Sequence, residues 1–274
     1  MIDRDLIKRA LAEDLQGGED ITSIATVSGS ERVVADFVAR KSGVIAGIEM
    51  ARSVLEEVGL TDIAVLVQDG TFVAAGTLLM TVRGDTRAIL LAERTALNFL
   101  GHLSGIATLT RTWVDAIAGT TCEIRDTRKT TPGMRLLEKY AVRMGGGTNH
   151  RMSLSDAALI KDNHIAAAGG VAAAFSKVRA KYPTAEIEIE VDTLEQLKEV
   201  LPLNPNLVLL DNMSPAQCSE AVAIVAGSTK LEASGGIVLE NAKAYAETGV
   251  NYLAIGALTH SAPVFDIGLD LRAE

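Results

Sequence analysis

Leu207-Val208-Leu209-Leu210-Asp211 is an apolar run that ends in a carboxylate. The same layout recurs around it, in Ala157-Ala-Leu-Ile-Lys161, Ile187-Glu-Ile-Glu190, Leu231-Glu-Ala-Ser234-Gly-Gly236 and Tyr252-Leu-Ala-Ile-Gly256-Ala257. Upstream, Cys122-Glu-Ile-Arg125-Asp126-Thr127-Arg128-Lys129 follows the same plan. Stretches with helical spacing separate most of these runs. Alternating strands and helices build parallel sheet, and the carboxyl ends of its strands gather on one face. Lys161, Glu190, Asp211 and Ser234 are therefore expected to meet in space, on the face where α/β barrels keep their active sites.

The pattern predicts strands over 121–126, 157–161, 186–191, 207–211, 230–234 and 252–256, and helices over 134–144, 170–181, 193–200, 214–226 and 239–247. That is too few strands for an eight-stranded barrel, so an incomplete, open barrel is expected. The earlier part of the chain lacks this rhythm. Residues 4–15 read as an amphipathic helix, with Leu6, Ile7, Ala10, Leu11 and Leu15 on one side. A half-buried strand is expected over 31–40, a helix over 47–58 and an extended segment over 63–67. Asp69-Gly70 signals a turn, with short strands around Phe72 and over 78–82. A long helical pattern then runs over 86–118, where Gly101 and Gly105 are expected to kink or break it. The expected fold class is α/β. An N-terminal α/β sandwich-like domain takes residues 1–104, with the tail 266–274 returning to it, and an open α/β barrel of about six strands takes 105–265.

Of the 274 residues, 48% are hydrophobic and 22% charged, which fits an ordinary globular chain with a sizeable core. No apolar run reaches the roughly 18 to 20 residues that cross a bilayer, and the start Met1-Ile-Asp-Arg-Asp-Leu-Ile-Lys-Arg9 is too polar for a secretory signal. A cytoplasmic protein is the expectation. Cys122 and Cys218, the two cysteines, lack the spacing of a zinc site or a disulfide framework. The net charge of −9 argues against a nucleic-acid partner. Yet between Arg94 and Lys161 ten lysines and arginines face five acids, giving +5 for that stretch and −14 for the remainder. A positive island in an acidic chain points to a small anionic ligand.

Ser234-Gly235-Gly236 follows a strand and precedes a helical segment, a setting in which backbone amides cradle phosphate. Read alone it is as well a tight turn, but Gly256-Ala257 at the next strand end supplies a second half. Glu190 and Asp211 close very apolar runs, where a carboxylate needs a cationic or hydroxylated partner. A hydrated Mg2+ carried by a polyphosphate, or the 2- and 3-hydroxyls of a ribose, would serve. Helix capping is the plainer explanation, but Asp192-Thr193 and Asn212-Ser214 offer nearer caps. Thr127-Arg128-Lys129-Thr130-Thr131-Pro132-Gly133 is a basic turn, which is as often just solvated surface. Gly145-Gly-Gly-Thr-Asn-His150-Arg151 adds a glycine-rich loop bearing a histidine and an arginine. His102 and His260 read as structural. Lys161 fits either a Schiff-base nucleophile or a fixed cation, and the surrounding arginines favour the cation.

Together these motifs resemble the quinolinate phosphoribosyltransferase family of NAD biosynthesis. The resemblance runs nearly end to end and rests on Glu93-Arg94-Thr-Ala-Leu-Asn-Phe-Leu100, Asp126-Thr-Arg-Lys-Thr-Thr-Pro-Gly133, Gly146-Gly-Thr-Asn-His-Arg151, Leu159-Ile-Lys-Asp-Asn-His164, Glu188-Ile-Glu-Val191 and the Ser-Gly-Gly turn. It implies an enzyme that transfers phosphoribosyl from phosphoribosyl pyrophosphate to quinolinate with loss of CO2, using Mg2+, as a homodimer with no membrane partner. By the same resemblance Arg94 reaches the partner subunit's site, and Arg128, His150, Arg151 and Lys161 hold quinolinate. Thr127 and Lys129 lie beside them, with Lys129 also near the donor. Glu190 and Asp211 meet the ribose hydroxyls and the metal, directly or through water or substrate. Ser234, Gly235 and Gly236, with Ile255, Gly256 and Ala257, bind the 5-phosphate. Lys129, Lys161, Glu190 and Asp211 are the implied catalytic set. The rival readings are a paralogue with another acceptor (nicotinate-type or molybdenum-transport-associated), a Schiff-base lyase using Lys161, and a non-catalytic anion sensor.

Overall fold

The computed structural model describes residues 3–273. The chain divides into two compact units. One gathers the residues up to Arg111 with Leu136–Gly146 and those from Ser261 on; the other holds Thr112–Arg135 and Gly147–His260.

In the first unit α1 (Arg4–Leu15) starts at Asp3, whose side chain accepts from the Leu6 amide at 2.9 Å, and it buries Ile7 and Leu11. A short helix, α2 (Ile21–Thr26), capped by Asp20, follows in a stretch without apolar periodicity. Then come β1 (Arg32–Ala39), β2 (Gly43–Val44), α3 (Ile48–Glu57), β3 (Asp62–Val65), β4 (Phe72–Val73) and β5 (Leu78–Asp85). β2 was not foreseen and β5 runs three residues past its expected end; the others lie within a residue or two of their expected places. Helix α4 (Thr86–Ala116) leads onward.

Gly101 and Gly105 do not interrupt α4, contrary to expectation; it runs unbroken for 31 residues. Their cause is steric. A Cβ on Gly105 would collide with the Pro263 carbonyl, and one on Gly101 would lie 2.9 Å from that of Phe265, whose amide donates to the Gly101 carbonyl at 2.9 Å. The returning segment therefore lies directly on the helix backbone, which only glycine permits. The last strand of the chain, Ile267–Ala273, pairs antiparallel with β1 at the edge of a sheet ordered last strand, β1, β5, β3; Glu274 lies outside the described residues.

The second unit alternates as the apolar runs demand. Its strands are β6 (Glu123–Arg125), β7 (Ala158–Ile160), β8 (Ile187–Val191), β9 (Leu207–Asp211), β10 (Lys230–Ser234) and β11 (Tyr252–Ala254). All pair in parallel, in the order β6-β11-β10-β9-β8-β7. From β7 to β11 the order never reverses, and β6 then joins the far side of β11. That is the order of a barrel left open between β6 and β7. Thr148 lies along the free edge of β6, donating to the Ile124 carbonyl at 2.8 Å and accepting from the Asp126 amide at 3.2 Å. The expected helices appear at Arg135–Met144 (which belongs largely to the first unit), Val171–Lys181, Leu194–Val200, Pro215–Val225 and Leu239–Ala246. Two short ones were not foreseen, Asp162–Ala168 directly after β7 and Ala257–His260 after β11.

Strand alternation sorts the side chains. In β8, Ile187, Ile189 and Val191 share one fully buried face, and Glu188 and Glu190 share the other. Among the described residues no helix is long and apolar enough to cross a membrane. Replacing Gly105 with alanine tests the packing of α4. Helix propensity alone would stabilise the protein by about 1 kcal/mol, but overpacking against Pro263 should cost about 1–3 kcal/mol and dominate. Urea unfolding of Gly105→Ala should show a net loss of stability, and a gain would refute the close approach.

Candidate active site

The carboxyl ends of the barrel strands open onto a cavity of about 770 Å³. It brings together every residue singled out in the sequence except Arg94, which lies exposed on α4 in the first unit. Its walls carry opposite charges.

The cationic wall comes from three loops. After β6, the Thr127 hydroxyl accepts from the Lys129 amide at 3.0 Å, and the Lys129 carbonyl accepts from the Thr259 hydroxyl at 2.7 Å. These bonds tie the basic turn to the segment after β11. Arg151 is braced by the Ala157 carbonyl at 2.9 Å. Nε of Arg128 and Nε of Arg151 are buried without a hydrogen bond. Burial first, and then repulsion from Arg128, pulls Arg151 below the usual guanidinium range. Two crowded guanidiniums with unused donors form a receptor for a planar dianion.

Glu190 and Asp211 make the anionic wall. Neither caps the helix that follows its own strand: Thr193 and Ser214 do so, accepting from the amides of Gln196 and Gln217, while Glu190 accepts from the Asp162 amide at 3.4 Å. The Lys161 ammonium lies 2.5 Å from Glu190, and the Asn212 amide group donates to Asp211 at 2.6 Å. Burial and then the Glu190 carboxylate raise the Asp211 carboxyl above its ordinary value, with Asp192 and Asp162 adding to the repulsion. Hard oxygen donors in excess of the local cations are suited to a divalent metal such as Mg2+.

The third corner is backbone. Gly235 and Gly236 adopt φ of +86° and +64°, and a Cβ on Gly235 would strike the Asn212 side chain. Asn212 itself sits at φ +53° and donates its amide to the Ser234 carbonyl at 2.8 Å, locking β9 against β10. Among the described residues the amides of Gly235, Gly236, Gly256 and Ala257 find no acceptor, which leaves them for an anion. Ile255 is a correction to the expected phosphate set: its amide is taken by the Arg125 carbonyl at 2.9 Å.

Several residues that shape the site were missed in the sequence. Asp126, fully buried, accepts from the His150 amide at 2.8 Å and from the Asn149 side chain at 2.5 Å, which folds the glycine-rich loop back onto β6. His260, set aside as structural, lines the cavity. Beneath the rim, Glu232 pairs with Arg125 at 2.8 Å, and His150 Nε2 lies 2.7 Å from Glu188 and 3.5 Å from Glu232. Glu188 and Glu232 precede Glu190 and Ser234 by two residues, so strand alternation alone puts them on the same inward face.

The family profile described as quinolinate phosphoribosyl transferase, C-terminal domain, matches residues 106–270, and that for its N-terminal domain matches residues 20–104. The chain belongs to the quinolinate phosphoribosyltransferase family. It is 54% identical to the nicotinate-nucleotide pyrophosphorylase (carboxylating) of Mycobacterium leprae (strain TN), over 98% of this chain and 96% of that one. A probable nicotinate-nucleotide pyrophosphorylase of Bacillus subtilis (strain 168) is 40% identical, over 98% and 93% of the two chains. The solved nicotinate-nucleotide pyrophosphorylase of Ehrlichia chaffeensis superposes with a TM-score of 0.93 at 39% identity, covering 98% of each chain.

Glu232 carries a pH signature. Burial and the nearby Glu188 carboxylate push it from 4.5 up to about 7. A carboxyl whose folded value exceeds its unfolded value stabilises the fold fully below the unfolded value. That contribution is lost as pH rises through the folded value. The melting temperature should therefore fall between about pH 5 and pH 7 through this group, and Glu232→Gln should flatten that fall. An unchanged slope in the variant would contradict the assignment.

Proposed function

We propose that this member of the quinolinate phosphoribosyltransferase family transfers phosphoribosyl from phosphoribosyl pyrophosphate to quinolinate and releases pyrophosphate and CO2, forming nicotinate mononucleotide for NAD biosynthesis. The single observation that carries the reading is the charge layout of one cavity. Paired guanidiniums with unused donors face a carboxylate pair, and free glycine amides lie at the third corner.

Arg128 and Arg151 hold the two carboxylates of the acceptor, with Lys161 as a third cation, and orient the ring nitrogen toward the sugar. The amides of Gly235, Gly236, Gly256 and Ala257 take the 5-phosphate, with Ser234 beside them. The nitrogen lone pair forms the bond to the anomeric carbon while the bond from that carbon to the pyrophosphate oxygen breaks. Positive charge grows on the ribose in this step, and Glu190 and Asp211 stabilise it from the opposite wall. Lys129, at the junction of the two halves, steadies the departing phosphates. In the second step the bond from the ring to the 2-carboxylate breaks, its electron pair flows toward the cationic ring nitrogen, and the ring carbon then takes a proton. Glu190 and Asp211 would hold Mg2+, directly or through water or substrate, and the metal would neutralise the pyrophosphate.

A Schiff-base role for Lys161 finds no support in its setting. The side chain is 47% exposed and sits on Glu190, rather than in the apolar pocket that activates such an amine.

Arg128→Ala should raise the KM for quinolinate by roughly tenfold or more, since a charge-assisted bond contributes about 1.5–3 kcal/mol. The KM for phosphoribosyl pyrophosphate and the melting temperature should hardly move, and an unchanged quinolinate KM would contradict the assignment. Turnover of quinolinate, phosphoribosyl pyrophosphate and Mg2+, followed by CO2 and pyrophosphate release, tests the reaction itself.

A homodimer is part of the same proposal. Arg94, exposed on α4, is the cation each subunit would lend to its partner's site. Specific activity should then fall on dilution below the dimer dissociation constant. Activity that persists in a fully monomeric sample would refute that loan.

A further inference from the structure

His150, Glu188 and Glu232 are buried beside the cationic wall, the first and last lining the cavity, in a geometry that the reaction does not explain. His150 is 7% exposed and both of its ring nitrogens are engaged. Nδ1 accepts from the backbone amide of Arg151 at 2.8 Å, and Nε2 lies 2.7 Å from Glu188. A nitrogen that accepts from an amide carries no proton, so the ring proton belongs on Nε2 and is donated to Glu188. Glu188 is itself 6% exposed and does not line the cavity. The result is a relay from β8 through an imidazole to the main chain of Arg151.

We infer that Glu188 and His150 are positioning residues that set the Arg128–Arg151 wall, with His150 acting as a spacer rather than as a cation on the acceptor. This departs from the role that the family resemblance gave His150. Three observations support it. The His150 amide is separately pinned by Asp126 at 2.8 Å, so ring and backbone are held from opposite sides. Arg151 is fixed at its own amide by the ring and at its guanidinium by the Ala157 carbonyl, which leaves only Nε and its outer edge to meet a ligand. Glu232, whose carboxylate lies 3.5 Å from the same Nε2, is neutralised from below by Arg125 at 2.8 Å. Arg125 is in turn stacked at 4.1 Å over the Tyr252 ring.

His150, Glu188 and Glu232 also have ligand atoms within 4.8 Å of one another, the spacing of a metal site. The Arg151 amide speaks against that use. If Nε2 bound a metal, the ring proton would move to Nδ1 and face the amide hydrogen, setting two donors head to head. A hydrogen-bonded relay satisfies the donors, and the Arg125 guanidinium already supplies the countercharge that a metal would bring.

The inference rests on the cavity's reading as a pyridine dicarboxylate site, and its test separates the two. Glu188→Leu removes the acceptor for Nε2, whereas Glu188→Gln keeps an oxygen there. The leucine variant should raise the quinolinate KM by about tenfold or more, leaving kcat within about threefold and the phosphoribosyl pyrophosphate KM unchanged, and glutamine should restore the quinolinate KM. Unchanged KM values in the leucine variant, with only a lower melting temperature, would reduce Glu188 to a structural part and overturn the inference. A matched rise in the donor KM, or failure of glutamine to rescue, would overturn it as well.

If the leucine variant does not fold, nitrogen-15 NMR of histidine-labelled wild-type protein decides, with the His150 signal assigned by its loss in His150→Gln. A neutral ring protonated on Nε2, with and without quinolinate, is expected. A cationic ring, or a ring protonated on Nδ1, would overturn the relay whatever the kinetics show. Wild-type protein that turns over no quinolinate would instead refute the substrate reading and leave the ring's proton to stand on its own measurement.

Discussion

Charge inside a barrel has to be answered by an opposite charge or a hydrogen-bond donor, because leaving one partner buried and alone costs several kcal/mol. In this chain the inward faces of short parallel strands carry Arg125, Glu188, Glu190 and Glu232, and each is met: Arg125 by Glu232, Glu188 by His150 and Glu190 by Lys161. The pairs join residues 29 to 107 positions apart, so they form only when the strands stand in barrel order. Even below the rim the matching is incomplete: among the described residues, Nε of Arg125 and one carboxylate oxygen each of Glu188 and Glu232 are buried without a hydrogen bond. At the rim two more arginine Nε donors are unanswered, and the Asp211 carboxyl is raised by burial and then by its like-charged neighbour. That imbalance is where a ligand belongs.

The layout also explains why the site can handle two unlike molecules. A dicarboxylate is drawn to guanidinium donors, and a sugar phosphate to carboxylates, metal and backbone amides. Walls of opposite sign keep each substrate from the other's place. Placing the carboxylates on strand ends, and the guanidiniums on loops braced by Asp126, Thr259 and the Ala157 carbonyl, gives both walls a rigid base.

Much of this could be read in the sequence, for a physical reason. A parallel strand covered by helices has to be apolar, so Leu-Val-Leu-Leu before Asp211 marks both the strand and the residue at its mouth. The nearer caps Thr193 and Ser214 do cap the helices that follow, as expected. Other features had no such signal. Asp162–Ala168 is too short for periodicity to speak. Gly101 and Gly105 look like breakers until the returning Pro263–Phe265 backbone is laid against them. Glu188 and Glu232 are legible by the same rule, since period-two alternation places them on the inward face with Glu190 and Ser234. The engaged amide of Ile255 belongs to β6 pairing, which no local pattern announces.

The most direct test of the account is a crystal structure with quinolinate and a phosphoribosyl pyrophosphate analogue bound together. The account predicts both carboxylates of the pyridine on Arg128 and Arg151, and the 5-phosphate against the amides of Gly235, Gly236, Gly256 and Ala257, with the ribose facing Glu190 and Asp211. A pyridine bound on the Glu190–Asp211 side, or a phosphate held by the arginine wall instead of the glycine corner, would contradict it.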